Sequence, residues 1–150
     1  MVGAVVAIYT PVLAFEAIGA AHIIDGDTIV IAGESHRLHG IDAPEMGQIC
    51  FTRGGAPWPC GERATAALEA LIGDAPVRCV SDKRGVYGRH ISICTVGGVD
   101  LGAWMVVHGW ALAYRAYSTA YIDEEAAART ARAGLWSGSF TKPWEWRRQN

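Results

Sequence analysis

Apolar and polar positions alternate in short stretches through the first half of the chain and pass to helical spacing further on. Ile23, Ile24, Ile29, Val30 and Ile31 cluster on both sides of an acidic turn, and β-branched residues in such runs predict strand. Ala32-Gly33-Glu34-Ser35 predicts a hairpin turn. His36 to Ile41 returns as a strand, which Pro44 ends. Residues 46–60 carry Gly47, Gly54, Gly55, Pro57 and Pro59 and predict a loop. Ala64, Leu68, Leu71 and Ile72 recur at helical spacing, which predicts a helix over 62–72 stopped by Gly73-Asp74. Strands are predicted near 76–81 and 90–96, around a polar loop over 82–88. Asp100 is a suitable N-cap for a short helix through His108, and Ser118 or Thr119 for a last helix whose Ala-rich body, 124–133, ends at Gly134. The order of elements predicts a small α+β domain built on a five-stranded barrel with three helices.

Size and composition narrow this further. The chain has 150 residues, half of them apolar and a fifth charged, which suits one globular domain with a true core. The domain is expected over 17–150, after a leading segment over 1–16. Residues 1–15 are almost wholly apolar and uncharged, fewer than the ~20 that span a bilayer. They fit a signal-peptide h-region with Ala14 or Ala17 near a cleavage point, or a buried leading strand; the basic n-region of a signal peptide is missing. The formal charge of −2 excludes a global basic field of the kind tight nucleic-acid binders carry. A polyanion partner would therefore need a local cluster of cations.

Cysteines stand at 50, 60, 79 and 94. Four permit three pairings. Cys79 and Cys94 end apolar runs around one loop, and Cys50 and Cys60 flank another, so 50–60 and 79–94 are the expected bonds. The plainer alternative is four reduced thiols in a cytosolic protein. No C-x-x-C occurs, which argues against a zinc ribbon. The histidines show no ligand spacing, and His36 and His39 should point to opposite faces of their strand. Trp144 and Trp146, beside Arg147-Arg148, could stack bases; a tail folded back onto the core is the expected role.

The chemistry-bearing strings are Asp25-Gly26-Asp27-Thr28, then Arg37-Leu38-His39-Gly40-Ile41-Asp42-Ala43-Pro44-Glu45, and Tyr87-Gly88-Arg89. Each alone is ordinary: Asp-Gly is a common turn, and a lone arginine covers apolar neighbours. Together they change the picture. Asp27, Asp42 and Glu45 would repel if their turns met, so they need a cation or raised pKa values. An all-oxygen donor set favours calcium or magnesium over zinc or copper. A carboxylate can orient or deprotonate water, and arginines can bind phosphate oxygens through paired N–H donors. That is a sufficient set for phosphodiester cleavage.

In this order and spacing the strings resemble the staphylococcal nuclease family, whose pattern is D-G-D-T, R-L-x-G-I-D-x-P-E and Y-G-R. Gly61-Glu62-x-Ala64, the stretch from Val106 to Gly109 and Gly134-Leu135-Trp136 also look like the family, so the likeness covers 20–136. The resemblance implies an OB-fold barrel and a calcium-dependent nuclease acting on DNA and RNA and leaving 3′-phosphate ends. Asp27 and Asp42 would ligate calcium through carboxylates and Ala43 through its main-chain carbonyl, where the archetype has threonine. Glu45 would be the general base or water-orienting group, and Arg37 and Arg89 would hold the scissile phosphate. Tyr87 and Tyr117 match nucleotide-contacting positions, although a solvent-facing ring is the plainer expectation for Tyr117. Gly85 and Val86 depart from the pattern before Y-G-R. Exported relatives commonly carry similar cysteines, which implies a secreted or periplasmic monomer without stable membrane insertion once mature; a cytoplasmic location is the alternative. Some family domains lose the acidic or arginine residues and bind without cutting; here every such side chain is present. A polysaccharide-associated barrel is a further alternative that no residue in the chain supports.

Overall fold

The computed structural model describes residues 14–150. Most of the expected leading segment, residues 1–13, lies outside them, and Phe15 and Glu16 open the first strand. The elements run β1 (Phe15–Gly19), β2 (Ala21–Asp25), β3 (Thr28–Ile31), β4 (Glu34–Leu38), β5 (Ile41–Asp42), β6 (Cys50–Phe51), β7 (Pro57–Trp58), α1 (Cys60–Ile72), β8 (Val77–Arg84), β9 (His90–Val96), β10 (Val99–Asp100), α2 (Leu101–Val107), β11 (Leu112–Ala113), α3 (Ile122–Ala131) and α4 (Pro143–Gln149). The fold is α+β, as expected.

The main sheet follows the order β1-β8-β9-β4-β3-β2, with β10 on β9. Its two end strands, β1 and β2, are separated in sequence by Ala20 alone. One bent strand therefore pairs with β8 by its first half and with β3 by its second, so the sheet curls back on itself. All pairs are antiparallel except β4 with β9, which the long excursion through α1 and β8 makes parallel. The curl encloses Ile29, Ile31, Leu38, Val77 and Val96, and α1 and α2 close it with Ala64, Leu68, Leu101 and Met105. A second, smaller core joins Cys50, Cys60, Leu112 and Leu135 under Trp58, Trp136, Phe140 and Trp144.

Several boundaries differ from expectation. Four α-helices stand where three were expected among the described residues. The extra one, α4, begins on Pro143 at its first turn, where the missing N–H costs nothing. Its Trp144 packs on the smaller core, so the tail does fold back. β8 runs to Arg84 rather than stopping at 81, because β9 continues to pair with it through His90. α3 begins at Ile122 with no side-chain cap, and Ser118 instead accepts the Ala120 N–H in a local turn. Asp100 caps α2 as expected, accepting the Ala103 N–H at 3.1 Å. No described helix is long and apolar enough to cross a membrane.

Both expected disulfides are present, Cys50–Cys60 and Cys79–Cys94. The second staples β8 to β9 at directly opposed positions. It closes a 15-residue loop, and the entropy removed from the unfolded chain is worth about 3 kcal/mol. A Cys79→Ala/Cys94→Ala double variant should therefore lose about 2–4 kcal/mol of unfolding free energy in urea. An unchanged midpoint would show that this bond does not constrain the unfolded chain enough to stabilise the fold.

Candidate active site

The two acidic strings meet because of a glycine. Asp27 lies in the turn between β2 and β3, and Asp42 ends β5. A Cβ on Gly26 would lie 2.7 Å from the Cβ of Ala43, so only a residue without a side chain lets these turns touch. Asp27 Oδ2 then accepts the Ala43 N–H at 2.8 Å. Its Oδ1 accepts Arg37 Nη1 at 2.9 Å and the Thr28 hydroxyl at 3.1 Å. Arg37 is placed by sheet register, directly opposite Thr28. Its Nη2 reaches Asp42 Oδ1 and the Ile41 carbonyl, each at 3.3 Å. Asp25 closes the turn by accepting the Asp27 N–H at 3.0 Å.

Glu45 is set by a different group of contacts. Its N–H donates to Gln48 Oε1, and Gln48 Nε2 donates to the Thr141 carbonyl at 2.7 Å, with the Gln48 side chain fully buried. A Cβ on Gly61 would collide with the Glu45 carbonyl, at 1.7 Å. Gly61 therefore lets the start of α1 lie against this turn, and the Cys50–Cys60 bond anchors that helix start to β6. The Glu45 carboxylate is left partly exposed.

Arg37, Glu45 and Arg89 open onto one groove of about 570 Å³, together with Asp25, Asp27, Lys83, Arg84, Tyr114 and Tyr117. Arg89 makes no ion pair among the described residues, and its buried Nε has no hydrogen-bond partner. Tyr117 stands at the groove edge, largely exposed and edge-on to Tyr114. Tyr87 does not line the groove; it is 91% exposed on a left-handed turn with φ 67°.

Sequence reasoning missed Arg147 and Tyr114. Arg147, on α4, donates through Nη1 and Nη2 to both oxygens of Asp42, at 2.9 and 2.8 Å, and through Nη1 to Glu45 Oε1 at 2.6 Å. The Trp144-Glu145-Trp146-Arg147 string carried the only signal: amphipathic aromatics dock, and an adjacent cation follows them in. Tyr114 arrives through β11, which pairs with β5 and puts the Tyr114 N–H on the Gly40 carbonyl at 2.8 Å.

The electrostatics follow from burial. Desolvation lifts the Asp27 carboxyl above the usual carboxylate range; Arg37 pulls it back, and Asp25 lifts it again. Desolvation likewise lifts Asp42, against the hydrogen bonds from Arg147. Burial pulls on Arg37, but Asp27 and Asp42 more than reverse it and hold the guanidinium charged. The hydrogen bonds that Arg147 donates to Asp42 hold its guanidinium charged as well. The buried carboxylates are hard oxygen donors and fit a hard divalent cation by donor chemistry. They are not gathered into a tight trio, because Arg147 stands between Asp42 and Glu45. The one set of three His, Cys, Asp or Glu atoms within 4.8 Å among the described residues is His36, Cys79 and Cys94, whose sulfurs are spent on each other.

Residues 35–138 match a family described as staphylococcal nuclease homologue. The chain is 37% identical over 122 residues to a succinoglycan biosynthesis protein, ExoI, of Rhizobium meliloti, which covers 79% of this chain and 64% of that protein. It is 31% identical over 115 residues to a probable staphylococcal-like nuclease of Oryza sativa subsp. japonica, covering 75% of this chain and 28% of the other. It is 28% identical over 135 residues to an uncharacterized endonuclease of Haemophilus influenzae, covering 85% and 70%. The chain thus spans less than two thirds of the first two of these relatives.

The raised carboxyl of Asp27 has a signed consequence. A carboxyl whose folded pKa exceeds its unfolded value favours folding while protonated, and that contribution is lost as pH rises through the folded value. The stability of the wild type relative to Asp27→Asn should therefore fall as pH rises above the ordinary carboxylate value of about 4, in urea unfolding without added divalent cation. A difference independent of pH would mean that the Asp27 carboxyl is not raised by its burial.

Proposed function

The chain belongs to the staphylococcal nuclease family, and from that premise we propose that it is a calcium-dependent nuclease hydrolysing DNA and RNA to 3′-phosphate ends. The observation that carries this reading is the convergence of Arg37, Glu45 and Arg89 on one groove from β4, the turn after β5 and the residue just before β9. The curled sheet is then the five-stranded OB barrel, with β1 and β2 counted as one bent strand. The two disulfides support an enzyme acting outside the cytoplasm, secreted or periplasmic. It would act as a monomer.

Glu45 orients a water molecule and takes its proton as the water oxygen attacks phosphorus. Arg37 and Arg89 bind the non-bridging oxygens and remain charged through the reaction; Arg89 brings a buried N–H that no group among the described residues satisfies. The P–O5′ bond breaks, the phosphate stays on the 3′ side, and the leaving oxygen is protonated on release. Arginine in this role contributes on the order of 10³-fold or more to phosphoryl transfer. Asp27, Asp42 and the Ala43 carbonyl are the groups that would hold calcium, which when bound supplies positive charge to polarise a phosphoryl oxygen. Tyr117 contacts a nucleotide at the groove edge, and Tyr87 reaches one only from outside the groove wall.

A second reading is a binding module that does not cut. It is favoured by Arg147, which covers both Asp42 and Glu45, and by the similarity to a protein named for succinoglycan biosynthesis. A cleavage assay on single-stranded DNA and RNA, with calcium, with magnesium and with chelator, separates the two. Cleavage that depends on calcium is expected; none under any metal would leave the binding module.

Two sets of variants refine the assignment. Arg37→Ala, Arg89→Ala and Glu45→Ala should each cut turnover on the order of 10²-fold or more while the chain stays folded by circular dichroism. Full activity in any one removes that residue from its role. Arg147 and a cation compete for Asp42, so Arg147→Gln should tighten calcium binding about tenfold by isothermal titration calorimetry, a change of roughly 1.4 kcal/mol. Unchanged affinity would place the ion away from Asp42.

A further inference from the structure

The chain carries thirteen Lys and Arg residues against a formal charge of −2, and their placement is uneven. Five of them, Arg37, Lys83, Arg84, Arg89 and Arg147, line the groove described above. Four more, Arg115, Arg129, Lys142 and Arg148, line a second groove of about 470 Å³. Nine of the thirteen thus face two grooves, although nothing in the bulk charge predicts it. Tyr114 lines both, so the two adjoin at its ring.

The second groove has the composition of a single-strand path. Its one acidic residue, Glu125, is buried and already committed: Oε1 accepts the Ala113 N–H and Oε2 accepts Arg115 Nη2, both at 3.1 Å. Arg115 is thereby neutralised from within, whereas Arg129, Lys142 and Arg148 have no acidic partner among the described residues of the groove. Its aromatic rings are paired with them. Arg129 lies 4.7 Å from the Trp136 ring centre and Lys142 Nζ lies 5.7 Å from that of Trp144. Trp144 in turn stacks on Tyr114 at 5.0 Å with planes 12° apart, so the aromatic surface leads directly into the first groove. Flat rings alternating with cations are what successive bases and phosphates require; an acidic peptide would use the cations and leave the rings idle.

We infer that the second groove binds single-stranded nucleic acid, as a subsite for nucleotides that flank the bond held in the first groove on the same strand. This rests on the nuclease reading only for the identity of the first groove; binding in the second needs no catalysis.

The test is equilibrium binding by fluorescence anisotropy of the full chain in chelator, where nothing is cut. The probes are labelled oligothymidylates of about twelve nucleotides and of three, since grooves of this kind track about 4–16 nucleotides. The variant is Lys142→Ala/Arg148→Ala, both exposed side chains. It should weaken the longer probe about tenfold or more and the trinucleotide less than about twofold. It should also lower the slope of log K against log salt by about 1.4, the value for two phosphates on a single strand. Equal affinity for the longer probe would overturn the inference. So would equal loss with both probes, which places the effect in the first groove, and displacement by an acidic peptide as readily as by oligonucleotide, which points to a protein partner. A chain that binds in this length-dependent way but cuts nothing with calcium keeps the subsite and loses the nuclease reading. A chain that cuts without the length dependence does the reverse.

Discussion

One buried carboxylate holds the site together. Asp27 is 4% exposed, and its two oxygens engage three separate segments: its own turn through Thr28, β4 through Arg37, and the turn after β5 through the Ala43 N–H. A buried charge of this kind is costly unless every lone pair is used, and removing one partner leaves the rest uncompensated. Arg37 extends the same network to Asp42, which is fully buried. The site is therefore a single electrostatic unit, in which no member can be moved without exposing another to an unpaired charge.

That unit is reached by close backbone approach rather than by long side chains. Gly26 lets the first acidic turn touch Ala43, and Gly61 lets α1 touch the Glu45 carbonyl. Gln48 spans from the Glu45 turn to the Thr141 carbonyl, which ties the turn to the chain just before α4. The disulfides act on the same frame. Cys50–Cys60 fixes the helix start beside Glu45, and Cys79–Cys94 fixes the two strands whose far ends carry Arg84 and Arg89.

The C-terminal helix then gives the site its particular character. Trp144 docks on the smaller core and on Tyr114, which brings Arg147 onto Asp42 and Glu45 and leaves Arg148 beside the second groove. A chain of slightly negative charge thereby gathers most of its cations along two adjoining grooves. Most of the acidic residues lie outside the two grooves and keep the total near zero, so bulk charge is no guide to this surface.

Much of this was legible in the residues themselves. Short-range rules decide where β-branched runs become strands, where Gly-Asp stops α1, that Asp100 caps α2, and which acids and arginines share a motif, because each depends on a few neighbouring residues. The cysteine pairs were also readable, since each flanks a loop short enough to close. What the sequence could not supply were the contacts between distant segments. The curl that lets one bent strand serve both ends of the sheet, the capture of Asp42 by Arg147 from 105 residues away, the outward turn of Tyr87 and the adjoining of two basic grooves at Tyr114 depend on packing. Local propensity fixes which groups are offered; only burial of the two cores decides which of them meet.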